Sequence, residues 1–548
     1  MRIISFLIIS LTAILMCPPC LGQWEPDGKV IGHWSPYSSA FALANVGNGN
    51  IVVVWNKDIG GDKDICAQYI DSAGYTRWGD EGMMVFEDNG FKQWHPAVLH
   101  DGEGGVFIVW SDYRHDSGWY DIYGQHLDSL GNLLWPTEGL RLTYGYSNIT
   151  PQLYDDGHGG FIIIFESSQG AERDIGAQRV NTNGEILWDS TGILLVQAEC
   201  AQSHALTCRA SDSTFITCWI DGRNWEDYDY DIYMQKFDIE GNLHWGIEGL
   251  PSIHYHGPQG FLNDGHDIVA DGEGGAVIVW VDSRSPYYYG TLFADRFSSD
   301  GQSMWEINGV PLGDPLVNEG LECQVFRLGY NFMFRWGGVG DFRVSYISRW
   351  GNPLWFDVVA LDSVTVVGKA IMEPEGIFIF NSYEAVSSKV DTSGYQYWPN
   401  NPYSGFHSSK LENISDGYGG LISVWADSWY GTIHISRTYT DGHVGGDTTT
   451  IIYIDEDNIP KDISLLYNYP NPFNYSTTIS YNLSLNTDLS FEVFNLLGQR
   501  IYEIRLLNQN LGTYNFTLNL KNSSSGVYFI RMSTLAGFSD RLKITLIK

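Results

Sequence analysis

Three features of the sequence predict an all-β fold. Aromatic residues make up 14% of the 548 residues and glycine occurs 61 times, yet no stretch carries the 3.6-residue apolar period of an amphipathic helix. A short unit recurs, as in DGEGGVFIVWSDYR (101–114), DGHGGFIIIFESSQ (156–169), DGEGGAVIVWVDSR (271–284) and DGYGGLISVWADSW (416–429). A second element follows it, as in YDIYGQHLDSLGNLLW (120–135) and YDIYMQKFDIEGNLHW (230–245). Marking each unit by the aromatic that ends its apolar run gives Trp55, Trp110, Phe165, Trp219, Trp280, Trp336, Phe380 and Trp425, eight units spaced by roughly 44 to 61 residues. That period, with four β patterns per unit, predicts an eight-bladed β-propeller over residues 23–446. A small β-sandwich over 463–548 follows a linker at 447–462.

Residues 1–22 carry Arg2, an apolar run and the small residues Cys20 and Gly22 at the −3 and −1 positions, the pattern of a signal peptide. Within a unit, strand A runs into an Asp-Gly turn. Strand B is the apolar run, whose β-branched and aromatic residues suit a sheet buried on both faces. Strand C is the DIYGQHLD type, and a Gly turn leads to strand D with its tryptophan. The D-strand tryptophans are Trp24, Trp78, Trp135, Trp188, Trp245, Trp305, Trp355 and Trp398, while the eighth unit ends without one of its own. The stretch QWEPDGKVIG (23–32) is therefore expected to supply the missing strand, with Val30 and Ile31 pairing near 433–437, and so to close the ring.

Lys and Arg number 31 against 65 Asp and Glu, a net charge of −34, which argues against nucleic acid or an anionic membrane as partner. No later apolar stretch is long enough for a spanning helix. Cys66, Cys200, Cys208, Cys218 and Cys323 are odd in number and irregular in spacing, so buried free thiols are expected. A monomer is expected.

The C-terminal stretch reads YPNPFN (469–474), VFNLLGQR (493–500), SGVYFIRM (525–532) and KITLIK (543–548). The two Asn-Pro steps make 469–474 an extended lead-in, and the alternating strands after it suit an immunoglobulin-like sandwich. In order and position these residues resemble the type A C-terminal sorting domain of the bacterial type IX secretion system. The resemblance implies a Gram-negative exporter of the Bacteroidetes kind and a protein released or held at the outer cell surface. It makes the secretion machinery a partner, and its motif residues here are Tyr469, Pro470, Asn471, Pro472, Phe473, Asn474, Gly498, Gly526 and Tyr528. The repeat region also resembles uncharacterised repeats of exported proteins, which implies a fold and no activity.

For chemistry, the B–C connections gather Trp119, Tyr120, Trp225, Tyr228, Tyr230, Tyr287, Tyr288, Trp429 and Tyr430 on one rim, beside Asp116, Glu226, Asp227 and Asp229. Flat aromatic faces with polar tips and carboxylates suit a glycan or protein ligand; no cofactor is required, and Ca²⁺ is the ion such carboxylates would hold. Inter-blade packing and a solvated acidic rim compete with that reading. His254 and His256, in a D–A insertion, are a candidate transition-metal pair lacking a third ligand at a recognisable spacing. The Trp-x-Asp-x-Arg element at Trp110, Asp112 and Arg114 recurs at Trp219, Asp221 and Arg223 and at Trp280, Asp282 and Arg284. A structural bond is wanted in every blade and a catalytic group only once, so these are expected to fix the turn. No nucleophile elbow, zincin helix or phosphate loop occurs. The expectation is a binding protein for an extracellular glycan or protein, with a glycan-active hydrolase or lyase using the same face as the alternative.

Overall fold

The computed structural model describes most of residues 24–439 and 464–548; of the segments left out, 115–117, 225–228, 253–264, 283–290, 428–430, 470–472 and 496–499 bear on function. The expected signal peptide lies outside the described residues. Contacts divide the chain into two units, Met1–Asp447 and Thr448–Lys548.

The first unit contains, among the described residues, eight four-stranded antiparallel sheets. Sheets 1 to 7 follow one another at 41–86, 93–141, 147–194, 202–251, 266–311, 322–364 and 371–402. Sheet 8 joins Ser408–Ser415, Leu421–Asp427 and Thr432–Thr438 to Lys29–His33 from the other end of the unit. B strands such as Val106–Asp112 are buried along their whole length, as the continuous apolar runs require. Their side chains pack each sheet onto the next: Val52 and Val54 of sheet 1 meet Val106 and Ile108 of sheet 2, and Ile422 and Val424 of sheet 8 meet Ile51 and Val53 of sheet 1. The A strands pack directly on one another from sheet 7 through sheets 8 and 1 to sheet 6, so they form the inner wall.

The recurring Asp-Gly-x-Gly-Gly stretch is the A–B turn, and its aspartate does two jobs. One carboxylate oxygen of Asp101 accepts the backbone N–H groups of Glu103 and Gly105 at 2.8 and 2.9 Å. Asp156, Asp271 and Asp416 repeat this with His158 and Gly160, Glu273 and Gly275, and Tyr418 and Gly420. The other oxygen reaches strand C of the same sheet, where it meets His126 at 2.9 Å, Arg179 at 2.9 Å, Arg296 at 2.8 Å or Arg437 at 2.6 Å. The last glycine of the turn packs so closely that a Cβ on Gly105, Gly160, Gly275 or Gly420 would overlap the carbonyl at the end of strand C.

Strand D differs from the sequence expectation. Its ladder is only two residues long in sheets 2 to 5, as at Leu140–Arg141, because a Gly turn between Pro136 and Gly139 interrupts it. The tryptophan before the turn instead crosses to the neighbouring sheet. The indole N–H of Trp78 donates to Ser129 O, Trp135 to Thr182 O, Trp188 to Ile239 O and Trp305 to Arg349 O, at 3.0–3.3 Å. Each acceptor lies in the C–D turn of the next sheet.

Trp24 makes the same bond to Ser72 O at 3.1 Å and is 3% exposed. Lys29 pairs with Ile435, Val30 with His434, Gly32 with Ile433 and His33 with Thr432. A bulge falls between Val30 and Gly32, so Ile31 leaves the ladder and is fully buried among Trp55, Ile433 and Ile435. The N-terminal stretch therefore occupies a strand D position of sheet 8, with its bulge the one departure from the expected register.

The second unit pairs a three-stranded sheet (Ser464–Tyr469, Ser476–Leu483, Gly512–Asn519) with a four-stranded one ordered Arg500–Gln509, Thr487–Asn495, Gly526–Thr534, Ser539–Leu546. Ile479, Tyr481, Phe491, Leu518, Ile530 and Ile544 form its core. Among the described residues, no helix is long and apolar enough to cross a membrane. Among the described residues the five cysteines are free, and Cys208 faces Ile216 across the hairpin. Burial pushes the Cys66 thiol up to about 12 and raises Cys208 and Cys218 as well, so these thiols stay protonated and unreactive.

Candidate functional site

The B–C and D–A connections emerge at one edge of every sheet. In sheet 2 the Trp110 indole donates to Asp112 Oδ2 at 2.7 Å, and Arg114 Nε donates to Asp112 Oδ1 at 2.8 Å. Sheet 4 repeats it, with Trp219 on Asp221 at 2.9 Å and Arg223 gripping both oxygens at 2.8 Å. Each guanidinium then lies over a strand C tyrosine, Arg114 on Tyr123 at 4.0 Å and Arg223 on Tyr233 at 3.7 Å. Asp112 and Asp221 are fully buried, so this element sets the course of the connection, as its recurrence implies.

Of the rim aromatics, the structure describes the surroundings of three. Trp119 is 45% exposed on the connection of sheet 2; Tyr230 is 41% exposed but lies at the start of strand C of sheet 4, Asp229–Asp238, rather than on the connection. Tyr120 is half-buried, its ring 4.9 Å from Tyr113, and burial raises its phenol. Trp225, Tyr228, Tyr287, Tyr288, Trp429 and Tyr430 lie outside the described residues, as do His254 and His256. No group of three His, Cys, Asp or Glu suited to a metal occurs among the described residues.

Sequence reasoning missed a second set of groups on the inner wall at the same edge. His95, Thr150 and His204 occupy one slot of strand A in sheets 2, 3 and 4, each with left-handed backbone at φ of 50°, 52° and 55°. Each sits at a bulge of its A–B ladder. Two residues earlier, Gln93, Asn148 and Gln202 are fully buried, and each keeps one side-chain amide atom without a hydrogen-bond partner among the described residues. Buried amides of this kind are ordinarily completed by internal water. The signal lay in the repeat register, where a polar residue precedes the bulge in all three units.

Around His204 the pattern stops repeating. Its backbone N–H donates to Glu166 Oε1 at 3.1 Å, Glu166 pairs with Arg173 at 2.9 Å, and the His204 ring meets Ser203 Oγ at 2.9 Å. His266 lies behind, 4% exposed, and neither ring nitrogen has a side-chain hydrogen-bond partner among the described residues. Burial lowers His266 to about 4, opposed by the nearby His204 carbonyl and reinforced by the His204 ring. The folded-state value lies below the unfolded one, so the stability tied to neutral His266 is present above about pH 6.5 and drains away toward pH 4. The expected outcome is a loss of about 3 kcal/mol over that window, absent in His266→Leu. Equilibrium denaturation at pH 7 and pH 4 checks it, and equal pH slopes in the two proteins would refute it.

In the C-terminal unit, Phe473 is 2% exposed and locked by two backbone bonds, its N–H to Thr545 O and its carbonyl from Ile547 N–H, at 2.9 and 2.8 Å. Tyr528 is buried with its hydroxyl on Ser524 O at 2.6 Å, Asn474 is exposed, and Gly526 opens its strand with free space about its Cα. Tyr469 ends its strand; Pro470, Asn471, Pro472 and Gly498 lie outside the described residues. Between the flanking strands, Glu492 accepts bonds from Arg500 at 2.6 Å and from Arg531, which hold its carboxyl below the usual range.

Comparison with known proteins adds one family and several distant folds. No curated protein matches the chain. Among solved structures, the Dos1 propeller is 10% identical over 76% of this chain and 95% of that one, with a TM-score of 0.43. An α-L-arabinanase of Penicillium chrysogenum complexed with arabinobiose is 13% identical over 59% and 98%, at 0.37. A levansucrase variant of B. megaterium is 12% identical over 48% and 83%, at 0.30. Likenesses this distant carry no functional weight. The family model that matches is the secretion system C-terminal sorting domain, over residues 468–545. It spans the strands that bury Phe473 and Tyr528, so the chain ends in a type IX secretion sorting domain and is secreted to the cell surface or the extracellular space.

Proposed function

We propose that the first unit is an eight-bladed β-propeller closed by its N-terminal strand, that the second is an immunoglobulin-like sorting module, and that the exported protein binds an extracellular glycan or protein. The tryptophan bond to the next sheet, made by Trp78, Trp135, Trp188 and Trp305 and by Trp24 for sheet 8, supports the closed ring. The observation that carries the binding reading is the exposure of Trp119 on the sheet 2 connection and of Tyr230 at the start of strand C of sheet 4, beside buried Asp–Arg pairs. Large aromatics left in water on a rigid frame mark a contact surface for a ligand with apolar faces and polar edges. The protein acts as a monomer, no cofactor is required, and Ca²⁺ is the ion the rim carboxylates would accept.

Two experiments test this. Removing residues 463–548 should leave the protein inside the outer membrane, read by cell fractionation with an antibody to the first unit. Appearance of the truncated protein in the medium would contradict the sorting role. For the ligand, a polysaccharide array should give signal that drops on Trp119→Ala with Tyr230→Ala. Turnover of the bound polysaccharide would instead favour a hydrolase or lyase.

A further inference from the structure

The opposite edge of the sheets, formed by A–B and C–D turns, departs from the repeat at sheet 6. The residue whose carbonyl receives the neighbouring indole is Ser72, Ser129, Thr182 or Ile239 in sheets 1 to 4, and Arg349 in sheet 6. The next residue is Ala73, Leu130, Asn183 or Glu240, against Trp350. The A–B turn of sheet 6 also drops Asp-Gly-x-Gly-Gly and presents Tyr330. Tyr330 is 72% exposed and Trp350 66% exposed. Both rings lie against one guanidinium, with Arg349 at 5.4 Å from the Tyr330 ring centre and 4.9 Å from that of Trp350. Arg349 Nη2 donates to Glu273 Oε1 of sheet 5 at 2.5 Å, and Glu273 Oε2 accepts from Arg296 at 2.6 Å.

The backbone role of Arg349 is met by its carbonyl, as serine, threonine or isoleucine meets it elsewhere, so the indole bond needs neither its side chain nor the two rings. We propose that Tyr330, Arg349, Trp350 and Glu273 form a binding site for a neutral, hydroxyl-rich glycan chain. The rings offer flat faces to sugar C–H groups. The half-exposed Arg349–Glu273 pair offers donors and acceptors side by side, which hydroxyl groups can use together. Arg296 and Arg349 are matched by Asp271 and Glu273, so the site holds no net charge to select phosphate or a polycation. The proposal rests on the glycan-binding reading of the ring but on none of the residues of the other edge.

The test is affinity electrophoresis and tryptophan fluorescence of the full exported chain with xylan, mixed-linkage β-glucan and mannan, and with polygalacturonate as the charged comparison. Trp350→Ala and Tyr330→Ala should each weaken a neutral glycan by about 10-fold, roughly the loss of one stacked ring. Arg349→Ala should weaken it by several fold. Tyr330 and Trp350 are exposed enough that unfolding midpoints of their variants should stay at the wild-type value. Loss of binding only in the Trp119 and Tyr230 variants would overturn this site and keep the reading of the ring. Binding of polygalacturonate alone would overturn the neutral class, and an absence of glycan binding in the wild type would overturn both the site and the reading.

Discussion

Trp24→Ala is expected to lower the unfolding free energy of the first unit by about 3–5 kcal/mol, the usual cost of removing a buried large aromatic. The ring of Trp24 packs among Ile31, Trp55 and Ile433, and its indole N–H is satisfied by Ser72 O. Trp135→Ala removes a ring from an equivalent slot with the same kind of bond. The two positions differ in what else holds their strand. The segment around Trp135 follows directly on strand C of its own sheet, whereas Lys29–His33 meets Thr432–Thr438 across most of the unit's sequence. Closing so long a loop costs more chain entropy than closing a hairpin, so this junction should be the first to open. Hydrogen exchange should therefore accelerate in 29–33 and in Thr432–Thr438 for Trp24→Ala, with no matching change in sheet 2 for Trp135→Ala. If 432–438 stays protected in Trp24→Ala, the N-terminal strand does not govern closure.

Much of this architecture was legible because the repeat carries its own punctuation. Asp-Gly-x-Gly-Gly marks four of the A–B turns, and an aromatic marks each strand B and a tryptophan each strand D, so even Trp24, far from its sheet in sequence, could be assigned a slot. What those tryptophans do was not legible. A carbonyl acceptor on the next sheet leaves no residue signature, since Ser72, Thr182 and Ile239 serve alike through the backbone. The cation that meets the turn aspartate was hidden for a related reason: it lies more than 20 residues on and varies between arginine and histidine. At the candidate site, Trp119 and Tyr230 could be read as exposed because B–C connections are turns rich in polar residues. The set of Glu166, His204 and His266 could not, because three units contribute one residue each and only the pairing of their strands brings them together.

The second large effect is expected at the turn aspartates, and it should depend on which cation they face. Asp416 and Asp101 cap their turns with the same two backbone bonds, so replacing either by alanine removes the same cap. Asp416 also holds Arg437 through Nε at 2.9 Å and Nη2 at 2.6 Å, with the guanidinium only 10% exposed. Arginine cannot shed its charge, so Asp416→Ala strands a buried cation and should cost about 3–5 kcal/mol. Asp101 faces His126, which is also nearly buried between Phe107 and Trp135 but, as an imidazole, carries no permanent charge. Asp101→Ala should therefore cost only about 1–3 kcal/mol, the range for an unsatisfied buried polar group. Exchanging the cation separates this account from a difference in packing. In a His126→Arg background, Asp101→Ala should become as damaging as Asp416→Ala, because the stranded group now carries a permanent charge. Denaturant titrations of the four proteins measure the coupling directly. If Asp101→Ala costs the same whether residue 126 is histidine or arginine, the aspartates act through the turn alone, and the pairing with strand C adds little to the ring.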